Sequence, residues 1–262
     1  MMRHPLPLTI AFGALAGALG GLMGVGGGIV LVPLLIQFLG ATQHAAQAAS
    51  LAFVVATALV AAVPYLASEH LDLPLAALLA IGAVPGVLAG VRLAKRTPGP
   101  RLRRAFGVVM FATAIRLLAA PPEPTVAAAI WAWPWNVLLG CGVGFLAGLL
   151  GVGGGVMLVP VLVLGERVPQ HTAQGISLLL VAPVGLIGAL SYARHGHLAT
   201  RSLPGLLIGG ALGGAVGALG AHRIEAPLLS RLFAILLIFI SAQMILRAPN
   251  ARAATNSSGG VP

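Results

Sequence analysis

The sequence predicts an all-α polytopic membrane protein built from two homologous, inverted repeats, each with a glycine-broken helical hairpin and three spanning helices. Three observations lead there. The chain is apolar almost throughout: of its 262 residues 58% are hydrophobic and 8% charged, with a mean hydropathy of +1.01, where a soluble domain is about 25% charged. Residues 4–68 and 124–165 hold no Asp, Glu, Lys or Arg, and both tracts exceed the roughly 20 residues that cross a bilayer as a helix. Finally, the cluster Gly24, Val25, Gly26, Gly27, Gly28 with Pro33 beyond it returns as Gly151, Val152, Gly153, Gly154, Gly155 with Pro160 beyond it. Self-similarity at a fixed offset marks a duplicated fold.

The offset that carries Gly24 to Gly151 also carries Gly17 to Gly144, Gly21 to Gly148, Gln43 and His44 to Gln170 and His171, Gln47 to Gln174, and Ser50 to Ser177. It carries Tyr65 to Tyr192, His70 to His197, Gly82, Gly86 and Gly90 to Gly209, Gly213 and Gly217, and Phe106 to Phe233. No gap interrupts the match. The domains read as repeat one over 8–119, a Pro- and Trp-rich connector over 120–135, repeat two over 136–246, and a polar, disordered tail over 247–262.

In order, the apolar pieces of repeat one are 8–23, 29–39, 45–67, 74–91 and 105–119; those of repeat two are 136–150, 156–164, 172–193, 203–221 and 232–246. The last three of each set have the length of a crossing. The first two are short and read as halves of one element parted by the glycines, as a re-entrant hairpin or as separate crossings. The first segment begins with Arg3 and an apolar run and so imitates a signal peptide, but its match to repeat two assigns it to the fold. Pro121, Pro122 and Pro124 break the connector, and Trp131, Trp133 and Trp135 close it as an interfacial anchor.

Charge orients the repeats. The 15 basic residues include a cluster at Arg92, Lys95, Arg96, Arg101, Arg103 and Arg104. The net charge of +10 reads as basic cytoplasmic loops rather than a nucleic-acid surface. Parallel repeats divide Lys and Arg nine inside to six outside. Inverted repeats put Arg3, the cluster, Arg194, Arg201, Arg247 and Arg252 inside, and Arg116, Arg167, Arg223 and Arg231 outside. The second division is the more uneven, so both termini are expected in the cytoplasm. The single cysteine, Cys141, excludes an intrachain disulfide and sits in an apolar segment as a small hydrophobe.

The chemistry rests on neutral groups. Glycines can unwind a helix and bare backbone N–H groups, which membranes tolerate only inside protein or along a wet cavity. Helices starting near Ile29 and Val156 would present partly positive N-termini, with Pro33 and Pro160 near the first turn, where a missing N–H costs least. Two such ends can face one anion at the midplane. The alternative, close helix packing on small residues, suits Gly82, Gly86 and Gly90 and their mates Gly209, Gly213 and Gly217. Gln43, Gln47 and Ser50 share one helix face, as do Gln170, Gln174 and Ser177. Gln and Ser can donate to an oxyanion or bond neighbouring helices, and both roles stay open. His44 and His171 stand beside that face, as site residues or as helix caps. The candidate substrate contacts are Gly24, Gly26, Gly27, Gly28, Gln47, Ser50, Gly151, Gly153, Gly154, Gly155, Gln174 and Ser177, with His44, His171, Pro33 and Pro160 secondary.

Other chemistries lack their residues. The only acids are Glu69, Asp72, Glu123, Glu166 and Glu225, all in expected loops, which removes a buried carboxylate relay and favours an anion over a cation. Ile29 and Val156 stand where a P-loop needs Lys. Ser177 has no nucleophile motif around it, and its twin Ser50 occupies the same place in repeat one, so no enzyme is expected. No catalytic residue, cofactor or metal is assigned.

The doubled pattern Gly-x-Gly-Gly-Gly-x4-Pro-x-Leu, at 24–35 and 151–162, resembles the TauE/SafE sulfite exporter (TSUP) family over about 8–246. The resemblance implies a multi-pass protein of a bacterial-type plasma (inner) membrane, alternating access, and a small sulfur-containing anion such as sulfite or a sulfonate as substrate. The expectation is therefore a secondary transporter of such an anion, whose partners are the substrate and the lipid bilayer and not nucleic acid. A membrane scaffold or assembly protein without flux is the runner-up. The sequence leaves open the coupling ion, proton or sodium, and a homo-oligomeric state.

Overall fold

A computed structural model of the chain describes residues 5–66, 72–94, 107–119 apart from 109, 113 and 116, 133–165, 168–194 and 202–246, without the side chains of 43, 44, 244 and 246. The helices in order are α1 Leu6–Met23, α2 Gly28–Phe38, α3 Gln43–Leu66, α4 Leu73–Ala94, α5 Met110–Ala119, α6 Trp133–Leu150, α7 Gly155–Leu164, α8 Gln170–Ala193, α9 Leu203–Ala221 and α10 Ala226–Leu246. Among the described residues there is no strand. Among the described residues seven helices are long and apolar enough to cross a membrane: α1, α3, α4, α6, α8, α9 and α10. The chain is an all-helical membrane protein. Most of the expected connector, the expected tail, and the basic cluster beyond Arg92 lie outside the described residues.

Both expected short pairs are hairpins with unequal arms. α1 and α6 have 18 residues each, longer than their apolar cores, because both open on prolines that favour a first turn. α2 and α7 have 11 and 10 residues, about 15 Å of helix, or half of the ~30 Å apolar bilayer. The glycines do not merely loosen a continuous helix. Gly24, at φ 69°, ends α1 in the left-handed region, and Val25 and Gly26 turn their N–H groups back to the Gly20 carbonyl at 2.9 and 3.3 Å. Gly27 then lies against Ala16 and Gly20 so closely that a Cβ at Gly27 would strike the Ala16 carbonyl. α2 runs back along α1, and the rings of Phe12 and Phe38 meet at 5.5 Å. In repeat two Gly154 takes the same place against Ala147 and Val143.

Pro33 and Pro160 fall beyond the first turn in which they were expected. α2 and α7 already begin at Gly28 and Gly155, so each proline lies inside its helix. It leaves the carbonyl four residues earlier, on Ile29 or Val156, without its helical donor. α10 also begins earlier than its apolar run, at Ala226, where the Glu225 backbone carbonyl accepts from the Leu229 N–H. Two of the helices carry a basic residue: Arg231 lies in α10 and Arg92 in the last turn of α4. Arg231 is exposed.

Glycine rows lock the two repeats together. A Cβ at Gly13 would meet Leu206 and Gly210, at Gly17 it would meet Gly210, and at Gly21 it would meet Gly214 and Ala218. Both numberings rise together, so α1 and α9 run parallel. Likewise Gly82, Gly86 and Gly90 of α4 rest on Val137, Cys141 and Phe145 of α6. Each repeat's first helix thus packs on the other repeat's fourth, backbone to backbone. Such close approach is how apolar helices associate in lipid, where hydrophobic transfer contributes little. α3 and α8 form the seam between them: Gln47 meets Tyr192, Leu51 meets Gly188, and Tyr65 meets Gln174. One numbering rises as the other falls, so these corresponding helices run antiparallel.

Candidate functional site

The two glycine loops meet where α3 crosses α8. A Cβ at Gly26 would lie 2.9 Å from Val54 Cγ1 and 3.1 Å from Val181 Cγ1; one at Gly153 would lie 2.9 and 3.3 Å from the same atoms. Gly28 faces the Val152 carbonyl at 3.0 Å and Gly155 faces the Val25 Cα at 2.9 Å, measured from the same ideal Cβ positions. Val54 and Val181 are themselves repeat mates and both are fully buried. The sequence reading missed them because an apolar pair carries no polar signal in an apolar chain.

Positive φ explains the loops' composition. Gly24, Gly26 and Gly27 have φ of 69°, 74° and 78°, and Gly151, Gly153 and Gly154 have 69°, 86° and 84°, a region that L side chains enter at a cost. The first helical hydrogen bonds after each loop run from Val30 and Leu31 to the Gly27 carbonyl, and from Met157 and Leu158 to the Gly154 carbonyl. The N–H groups of Gly28 and Ile29, and of Gly155 and Val156, precede any intrahelical acceptor. They carry the partial positive charge of the two helix starts.

The glutamines reach across the seam. Gln47 Nε2 donates to the Leu150 carbonyl at 3.2 Å, and its Oε1 accepts from the Tyr192 hydroxyl at 3.3 Å. Gln174 Nε2 donates to the Leu22 carbonyl at 3.3 Å, and its Oε1 accepts from the Tyr65 hydroxyl at 3.1 Å. Each glutamine therefore holds the last turn of the other repeat's first helix, next to the glycine loop, and each amide keeps a second N–H outside these bonds. In the sequence Tyr65 and Tyr192 stand out as repeat mates, without a site role. Their signal was available: they are the only two in the chain.

The serines differ. Ser50 Oγ donates to the Gly28 carbonyl at 3.1 Å. Ser177 is equally buried, at 0% exposure, and its Oγ has no hydrogen-bond partner. Gln170, at the outer end of the same face, accepts from Ser230 Oγ at 3.1 Å while its Nε2 is unpartnered. His171 Nε2 contacts the Ala221 carbonyl at 3.1 Å, in the last turn of α9, and its ring centre is 6.1 Å from that of His222. The His44 side chain lies outside the described residues. Asp72 serves α4 as an N-cap, accepting from the Leu75 N–H at 3.0 Å; Glu69, Glu123 and Glu166 lie outside the described residues. No cluster of metal-ligating side chains occurs among the described residues.

Seven spanning-length apolar helices among the described residues, two of them the long arms of the glycine-broken hairpins, define the class, a polytopic membrane protein. The chain belongs to the TauE/SafE sulfite exporter family, whose model matches residues 8–244. It is 31% identical over 255 residues to a "Probable membrane transporter protein" of Xylella fastidiosa (strain 9a5c), covering 95% of this chain and 98% of that one. It is 27% identical over 267 residues to the "Probable membrane transporter protein YunE" of Bacillus subtilis (strain 168), covering 91% and 96%. No solved structure matches it.

Proposed function

We propose that this protein is a secondary transporter that carries a small, sulfur-containing oxyanion such as sulfite or a sulfonate across a bacterial-type plasma (inner) membrane. One observation carries the reading: two glycine loops, one from each repeat, converge at the α3–α8 crossing and bring two helix N-termini to one place. Free N–H groups and helix dipoles favour an anion. The described side chains of the centre are neutral, so the ion is held by donors that can also release it. Gln47 and Gln174 flank the centre on opposite sides, one beside Gly151 and the other beside Gly24.

Transport follows from the repeat relation. The repeats, 8–119 and 136–246, are inverted, with both termini cytoplasmic. The antiparallel course of α3 and α8 supports this, as does the uneven division of Lys and Arg. Gln47 and Tyr65 stand about 27 Å apart along α3 at 1.5 Å per residue. The two Gln–Tyr pairs therefore hold opposite ends of the seam. Releasing one while keeping the other opens the centre to one side only, which is alternating access.

The test is uptake by purified protein in liposomes with a panel of sulfite, sulfoacetate and chloride, under an imposed proton or sodium gradient. Saturable uptake of a sulfur oxyanion is expected, and the effective gradient names the coupling ion. Folded, inserted protein with no saturable flux for any member would leave the non-transporting scaffold in its place.

A further inference from the structure

We propose that the anion is bound asymmetrically, in the second repeat's half of the centre, by Ser177 Oγ together with the N–H groups of Gly155 and Val156. The inference rests on the anion-transport reading and deepens it by naming the binding half and its side-chain donor.

The repeats place Ser50 and Ser177 alike. Each Oγ lies 2.7 Å from where a Cβ on its partner glycine, Gly28 or Gly155, would stand. Their hydrogen bonding is not alike. A serine hydroxyl has one proton to donate, and Ser50 gives its proton to the Gly28 carbonyl at 3.1 Å. That bond closes the first half on itself. Ser177 makes no such bond, although it is fully buried. A hydroxyl left unpaired in an apolar interior is costly, and in a membrane core no solvent offsets that cost.

The unpaired hydroxyl stands at the start of α7, a helix of 10 residues. The first hydrogen bond inside that turn is made by Met157 to the Gly154 carbonyl, so the Gly155 and Val156 N–H groups have no intrahelical acceptor. Glycine at 155 lets Ser177 approach the helix start this closely: a Cβ there would crowd both Ser177 Oγ and the Val25 Cα. One O–H and two N–H groups gathered at one helix start suit an oxyanion, which offers several acceptor oxygens to a set of short donors. Gln170, whose Nε2 is also buried and unpartnered, lies on the same face of α8 two turns nearer its start.

The experiment measures sulfite uptake in liposomes and thermal unfolding of the substrate-free protein in detergent, for wild type, Ser177→Ala, Ser177→Cys and Ser50→Ala. Ser177→Ala is expected to raise KM for sulfite roughly tenfold or more, the factor that accompanies one lost hydrogen bond to a charged ligand. Its Tm stays level or rises, because the substitution removes an unpaired buried hydroxyl. Ser177→Cys, with similar volume and a weaker donor, falls between. Ser50→Ala raises KM less than Ser177→Ala and lowers Tm, because it breaks a bond already made. Equal KM shifts for the two alanine variants overturn the asymmetry, and so does a lower Tm with an unmoved KM for Ser177→Ala. Either result, with wild type transporting, leaves the transport reading standing. Folded wild type that takes up no sulfur oxyanion overturns both.

Discussion

Tyr192 donates its hydroxyl to Gln47 Oε1 at 3.3 Å across the seam between the repeats, and its mate Tyr65 does the same for Gln174 at 3.1 Å. Both tyrosines are 1% exposed. Each pair joins the start of one seam helix to the end of the other, and the glutamine amide then ties in the helix that carries the glycine loop. Tyr65→Phe and Tyr192→Phe should each lower stability by about 1 kcal/mol, because a buried amide oxygen loses its donor. The pairs are far apart and share no partner, so the double variant should be additive within about 0.5 kcal/mol. Unfolding in detergent measures all three; an unchanged midpoint in the double variant would show that neither bond contributes.

Gln47→Glu should cut anion uptake strongly. The carboxylate places a negative charge beside the Gly151 loop and removes the donor to the Leu150 carbonyl. Gln47→Asn keeps the amide but shortens its reach, and its effect should be milder. Initial uptake rates at saturating and limiting anion separate loss of binding from loss of turnover. Undiminished uptake by a correctly inserted Gln47→Glu protein would remove Gln47 from the pathway.

Gly27→Val and Gly154→Val should abolish transport while the protein still reaches the membrane. Their φ values of 78° and 84° lie where a β-branched residue is an outlier. A Cβ at Gly27 would also strike the Ala16 carbonyl, and one at Gly154 would sit 3.0 Å from Ala147 Cβ. Uptake together with membrane abundance distinguishes a blocked centre from failed insertion. Normal flux in the inserted double variant would reduce these glycines to packing.

Single cysteines placed in the Cys141→Ala background should report the topology. A cysteine in the tail at Asn256 and another beside Arg96 should resist a membrane-impermeant thiol reagent added to intact cells, and react after the membrane is opened. A cysteine at Arg223, after α9, should react from outside. Labelling of the tail in intact cells would exclude cytoplasmic termini and, with them, the inverted arrangement.

Membrane class, duplication and the positions of the glycine loops were legible in the sequence. Each is a property of composition or of repetition along the chain, and lipid solvent demands long uncharged helices whatever their neighbours. The glycine rows at Gly82, Gly86 and Gly90 were legible as packing surfaces for the same reason, since helical spacing alone sets which residues share a face. The starts of α1, α6 and α10 were misplaced because a proline in the first turn, Pro7, Pro134 or Pro227, carries the helix beyond its apolar run.

Tertiary structure alone decided which groups meet. Gln47 and Leu150, or Tyr65 and Gln174, are far apart in sequence and come together only because α3 and α8 cross antiparallel. It also decided that the glycines turn the chain into a hairpin, since their φ values depend on Gly20 and Ala16 standing close enough to receive the loop. The difference between Ser50 and Ser177 is of the same kind. The residues are identical and the repeat equates them, yet only the first finds a carbonyl within reach. A hydrogen bond depends on tenths of an ångström and on direction, and sequence symmetry carries neither.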